Sequence, residues 1–117
     1  MTNIKGKIQH KDLAGGRWSE MTFAAQMANI GSEVSRAIKW REKGRYDRMI
    51  QAAERALELF DLTIDACCQS PLNRPRGKLK ELCRAREEFC DYFYGDNEFN
   101  TDPARMQRYY DQFASIK

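Results

Sequence analysis

The chain has 117 residues, enough for one domain with one core, and combines 42% hydrophobic with 32% charged residues at a formal net charge of +3. Charges of both signs interrupt every apolar run, which excludes a membrane span, and so small an excess of positive charge is no nucleic-acid signal by itself. The first residues lack the apolar core of a signal peptide, so Cys67, Cys68, Cys83 and Cys90 are expected as thiols in a reducing cytoplasm.

Residues 1–16 show no sustained period and end in Gly15-Gly16, which predicts a flexible arm ahead of a single domain over 17–117. The first helix is expected from Trp18 or Ser19, with Ser19 as N-cap, to Lys43, with Gly44 in the left-handed position that closes it. Phe23, Met27, Ile30, Val34 and Ala37 form its apolar stripe. Gly31 falls inside that pattern, where glycine costs about 1 kcal/mol relative to alanine, so another backbone is expected to pass close by.

The second helix is expected from Tyr46 to Cys68, with Ile50, Ala53, Leu57, Phe60, Ile64 and Cys67 on its apolar face, and stops before Pro71. A longer connection through Pro71 and Pro75 leads to a third helix, Arg76 to Tyr94, with Leu79, Leu82, Cys83, Phe89, Cys90 and Phe93 inward and Gly95-Asp96-Asn97 as its stop. Asp102 as N-cap and Pro103 at the first helical position open a short fourth helix, which turns Met106, Tyr109, Tyr110, Phe113 and Ile116 to the core. Short connections make successive helices antiparallel, so the expected fold is all-α, an up-and-down antiparallel four-helix bundle.

That topology puts the first and third chain reversals at one end. The basic cluster Arg36, Lys39, Arg41, Lys43, Arg45 and Arg48 then meets the acidic stretch Glu87, Glu88, Asp91, Asp96, Glu98 and Asp102, and mutual neutralisation within one chain or across a dimer is expected. The basic start of the third helix lies at the other end, where Asp61 and Asp65 answer part of it.

Catalytic and cofactor signatures are missing from the pattern. Glu54, Glu58, Asp61 and Asp65 form a carboxylate stripe on the second helix, but a di-metal bundle site also needs Glu-x-x-His pairs, and the one histidine, His10, is in the arm. The stripe reads as a solvated face or a salt-bridge ladder. The cysteines lack knuckle spacing and read as buried small apolar thiols rather than zinc ligands. Gly15-Gly16 and Gly44 match neither phosphate-loop pattern, so no cofactor is implied. Trp18, Trp40, Tyr46, Tyr92, Tyr94, Tyr109 and Tyr110 lie near arginines and raise an RNA-stacking alternative, which rests on the Arg/Lys clusters rather than on a motif.

Between Ala24 and Ile64 the alanine-rich first helix, the turn from Glu42 to Tyr46 that reads E-K-G-R-Y, and the run A-A-E-R-A-L-E-L at Ala52 to Leu59 resemble the first helix pair of the HEPN (higher eukaryotes and prokaryotes nucleotide-binding) domains. The resemblance implies a four-helix domain that dimerises, and two functional branches. In the ribonuclease branch an Arg-x₄₋₆-His motif late in the third helix acts on RNA. Here Arg84 and Arg86 stand in about the right place, but Asp91 falls where histidine is required, and a carboxylate cannot supply imidazole chemistry at neutral pH. In the second branch a non-catalytic subunit partners a separately encoded nucleotidyltransferase or binds a nucleotide. The leading expectation is therefore a homodimeric accessory module, with Arg41, Arg45, Arg84 and Arg86 as anion contacts because guanidinium groups donate to phosphate in a planar fork. The alternatives are an altered ribonuclease using Arg86 and Asp91, and a purely structural oligomer.

Overall fold

The computed structural model describes residues 17–69 and 76–115. The expected arm (1–16), the connection through Pro71 and Pro75, and the inward placement of Ile116 lie outside them. The described residues contain a short 3-10 turn, Trp18–Glu20, and four helices: α1 (Phe23–Glu42), α2 (Tyr46–Gln69), α3 (Arg76–Tyr94) and α4 (Pro103–Ala114). None of these helices is long and apolar enough to cross a membrane.

Helix α1 starts at Phe23, the first residue of its apolar stripe, and later than the expected Trp18 or Ser19. Trp18 to Glu20 form a separate turn, Met21 is extended, and Thr22, not Ser19, is the N-cap, its Oγ1 accepting from the amide of Ala25 at 3.0 Å. The reason is Trp18. Its indole is buried and donates through Nε1 to Thr63 Oγ1 on α2 at 2.9 Å, while its carbonyl accepts from the Gln26 side chain at 2.8 Å. Thr63 in turn donates to the Leu59 carbonyl at 2.7 Å, so each buried polar group in this chain of contacts has a partner.

The other end of α1 follows expectation. Gly44 sits at φ +74°, its amide reaches Arg41 O at 3.0 Å, and the Arg45 amide reaches Trp40 O at 2.9 Å, the paired bonds of a Schellman closure. Contacts between α1 and α2 nest about this turn: Arg55 Nε lies 3.0 Å from Glu33 Oε1, and Trp18 meets Thr63 further out.

The core holds Met27, Ile30, Val34 and Ala37 of α1, Phe60 of α2, Leu82, Phe89 and Phe93 of α3, and Met106 and Tyr110 of α4. On α2 Ala53 and Phe60 are buried as expected, but the buried arc reaches further round the helix than the expected one. Met49, Ala52, Ala56, Leu59 and Thr63 are fully inside, whereas Ile50, Leu57, Ile64 and Cys67 pack at its margin. Helix α2 lies against α1, α3 and the Trp18 turn at once, and this wide arc takes in the small residues that a search for large apolar side chains passes over. Cys68 and Cys83 are exposed and Cys67 and Cys90 half-buried, so the thiols are not the buried set expected from their apolar character.

Helix α4 packs against α1, with Gly31 at the closest approach: a Cβ built there would lie 2.6 Å from Tyr110 Cβ. The glycine is the space into which α4 fits. The Asp102 cap on α4 is as expected, its Oδ1 accepting from the Ala104 amide at 3.3 Å, with Pro103 in the first turn.

Candidate functional site

The last turns of α1 and α3 meet. Arg41 Nη1 donates to the carbonyl of Tyr92 at 2.7 Å, and its guanidinium carbon stands 4.4 Å from the centre of the Tyr92 ring. A cation placed among the last carbonyls of α3 also suits the negative end of that helix. The expected neutralisation does not take the form of ion pairs, since among the described residues none joins the basic cluster to the acidic stretch. The basic side chains have other partners. Arg36 pairs with Glu33 at 3.1 Å, Arg45 stands 3.6 Å from Asp47, and Lys43 and Arg48 lie over the Trp40 ring at 5.6 and 4.9 Å.

The acidic stretch is equally committed to its own loop. Asp91 receives the amides of Glu98 and Phe99 on its two carboxylate oxygens at 2.8 and 3.0 Å, and its carbonyl receives those of Gly95 and Asn97, both at 3.1 Å. Asn97 and Asn100 take the left-handed conformation at φ +53°. The Asn97 side chain accepts from the Thr101 amide at 2.8 Å, and Thr101 Oγ1 donates to Glu88 Oε2 at 2.9 Å. This bonded loop holds Phe99 outward, 59% exposed. Tyr46 at the start of α2 and Tyr94 at the end of α3 are 61% and 46% exposed, and these three are the large exposed hydrophobic residues of the described chain. Tyr46 follows closely on the end of α1, and Tyr94 and Phe99 stand at or just after the end of α3.

Between α3, the loop and α4 opens a cavity of about 500 Å³ lined by Glu81, Arg84, Ala85, Glu88, Phe99, Arg105 and Tyr109. Tyr109 donates its hydroxyl to Glu81 Oε2 at 2.6 Å. Burial raises the Tyr109 phenol above its ordinary pKa, and the bond to Glu81 adds to the rise, so it stays a neutral donor.

The four arginines proposed as anion contacts are therefore not one site. Arg41 is spent on Tyr92, Arg45 is exposed at the turn, Arg86 turns to Asp61 on α2 at 3.1 Å, and Arg84 alone lines the cavity. The Arg86 and Asp91 side chains, paired in the ribonuclease alternative, are held by Asp61 and by the loop amides respectively. The pairing of Arg86 with Asp61 is the answer to the basic start of α3 expected from sequence; Asp65 instead accepts from Gln69 at 3.0 Å. Among the described residues no three His, Cys, Asp or Glu side chains gather as a metal site.

Arg105 and Phe99 were not singled out by pattern. The available signal was Phe99 itself, a large apolar residue in a polar segment with no helical period. No family model matches this chain, and neither the curated proteins nor the solved structures offer a similar one.

Proposed function

We propose that this chain is a non-catalytic helical binding or accessory module, an up-and-down antiparallel four-helix bundle that works as a homodimer in the cytoplasm. Its docking surface is the end that carries Gly44 and the loop after α3. The partner class is the one implied by the HEPN resemblance, a separately encoded nucleotidyltransferase-type protein. The nested contacts about Gly44, and those of Glu81 with Tyr109 and Glu88 with Thr101 about the later loop, support the antiparallel arrangement. The free thiols of Cys68, Cys83 and Cys90 support a reducing compartment.

The observation that carries the reading is the exposure of Tyr46, Tyr94 and Phe99, all close along the chain to the meeting ends of α1 and α3, with Lys43, Arg45 and Arg48 near the first and Asp96 and Glu98 near the other two. Exposed aromatic side chains within a polar rim are what a protein interface requires, because they bury large rigid area at little entropic cost. Reaction chemistry has less support, since Arg86 and Asp91 are each tied to an intramolecular partner.

The test is capture of partners from lysate on the tagged chain, with and without nuclease, beside its solution mass and a matched Tyr46→Ser, Arg45→Glu variant. A nuclease-resistant protein held by the wild type and lost by the variant, with helical content unchanged, is the expected result. RNA as the sole nuclease-sensitive companion, or RNA cleavage abolished by Arg86→Ala, overturns the reading.

A further inference from the structure

We propose that the cavity between α3, the following loop and α4 binds a small aromatic anion, a flat ring that carries one phosphate or carboxylate. The inference goes beyond protein docking: Phe99 belongs to both surfaces, but Arg84, Arg105 and Tyr109 line the cavity alone and no residue of the Gly44 turn does.

The charge pattern of the walls is its first support. Arg84 and Arg105 both line the cavity, and neither has a hydrogen-bond, ion-pair or ring partner among the described residues. The carboxylates beside them have been taken by hydroxyls instead, Glu81 by Tyr109 at 2.6 Å and Glu88 by Thr101 at 2.9 Å. Two guanidinium forks thus keep their N–H groups free of any hydrogen-bonded partner among the described residues, although the charged carboxylates of Glu81 and Glu88, each bonded to a hydroxyl, stand in the same walls. A planar oxyanion is the group that two such forks recognise best.

The apolar part of the wall supplies the ring's place. Phe99 is 59% exposed, yet the loop that bears it is pinned by the Asp91 carboxylate and by two asparagines in left-handed conformation. An exposed aromatic on a pinned loop is preorganised for stacking, with little ordering left to be done on binding. The volume of about 500 Å³ falls in the range of about 300–1,000 Å³ usual for small-ligand sites.

Charge balance limits the head group. Two arginines face two glutamates, so the walls are formally neutral, and the attraction is the short-range hydrogen bonding of the guanidinium groups rather than net charge, which suits a small head group of low charge and disfavours a triphosphate. The carboxylate oxygens not used by Tyr109 and Thr101 remain as acceptors for a ligand's own N–H or O–H groups.

The experiment is an amide NMR titration of the full chain with adenosine monophosphate and with indole-3-acetate, against adenosine, inorganic phosphate and adenosine triphosphate. Shifts confined to residues 84–88, 98–101 and 105–109 are expected with at least one of the two aromatic anions, and the tighter binder names the head group. Adenosine and inorganic phosphate should each bind about ten-fold or more weakly, equivalent to about 1.4 kcal/mol. Arg84→Gln and Arg105→Gln should each weaken binding about five-fold or more with core amides unmoved, while Arg17→Gln, at an exposed residue that does not line the cavity, leaves it unchanged. The proposal fails if neither aromatic anion moves these amides at millimolar concentration. It fails equally if either ring or phosphate alone binds as tightly, if the triphosphate binds more tightly than the monophosphate, or if both arginine variants bind as the wild type does.

Discussion

Replacing Gly31 by alanine sets a known gain against a known obstruction. In an exposed helix the change stabilises by about 1 kcal/mol through helix propensity. Here the added methyl would sit 2.6 Å from Tyr110 Cβ, with Tyr110 Cγ at 3.4 Å and Cα at 3.7 Å. Carbon atoms in contact prefer about 3.5–4.0 Å, so α4 must withdraw by about 1 Å. No rotamer change relieves the clash, because the obstructing atom is fixed to the backbone. Withdrawal also loosens the packing of Tyr110 on Phe60, whose ring centres are 6.4 Å apart. Overpacking of this kind costs about 1–3 kcal/mol, and immobility of the neighbour puts this site at the upper end, which leaves a net loss of about 1–2 kcal/mol after the propensity gain. For a domain of this size that corresponds to a fall in the thermal midpoint of about 5–15 °C. Urea and thermal unfolding followed by helical circular dichroism would measure it. Gly77 in α3 has nothing within 4 Å of a built Cβ, so Gly77→Ala is the matched control, neutral or stabilising by up to about 1 kcal/mol. A Gly31→Ala protein as stable as the wild type would refute the close crossing of α1 and α4.

Thr63→Val strands the buried Trp18 Nε1–H and should cost about 1–3 kcal/mol, more than Thr63→Ser, which keeps the acceptor; equal urea midpoints for the two variants would count against the network. Asp91→Asn leaves one side-chain oxygen for two amides, so a loss of about 1–2 kcal/mol and faster hydrogen exchange at Glu98 and Phe99 are expected; unchanged exchange there would contradict the loop assignment. Burial raises both Tyr109 and Tyr110, the former further through Glu81 and the latter through Tyr109 and Glu88. A pKa raised in the folded state gives stability that is complete below the unfolded value of about 10 and is lost as pH climbs above it. Absorbance at 295 nm should therefore show these two phenolates appearing together with unfolding, and a native-state titration near pH 10 would disagree. Towards a thiol reagent Cys68 and Cys83 should react first, and Cys90 later, because burial outweighs the opposing pull of Arg86 and raises its thiol; a Cys90 as fast as Cys83 would show that α3 is turned differently.

What the sequence by itself determined was local. The four helices, the Schellman closure at Gly44, the Asp102-Pro103 start and the stripe from Met27 to Ala37 depend on backbone conformation and on a period of 3.6, and both are written in residues close along the chain. Gly31 also announced its close contact, because glycine in mid-helix is costly without one, although nothing in the sequence named Tyr110. Tertiary structure decided the rest. Which arc of α2 is buried depends on three neighbours acting together, and the start of α1 was moved by a single indole finding a hydroxyl 45 residues away. The destinations of the charges were equally unreadable. Arg41 chose a carbonyl and a ring, Arg86 chose Asp61, and Arg84 met Arg105 and Phe99 at one cavity, because long flexible side chains select partners by proximity in three dimensions rather than along the chain.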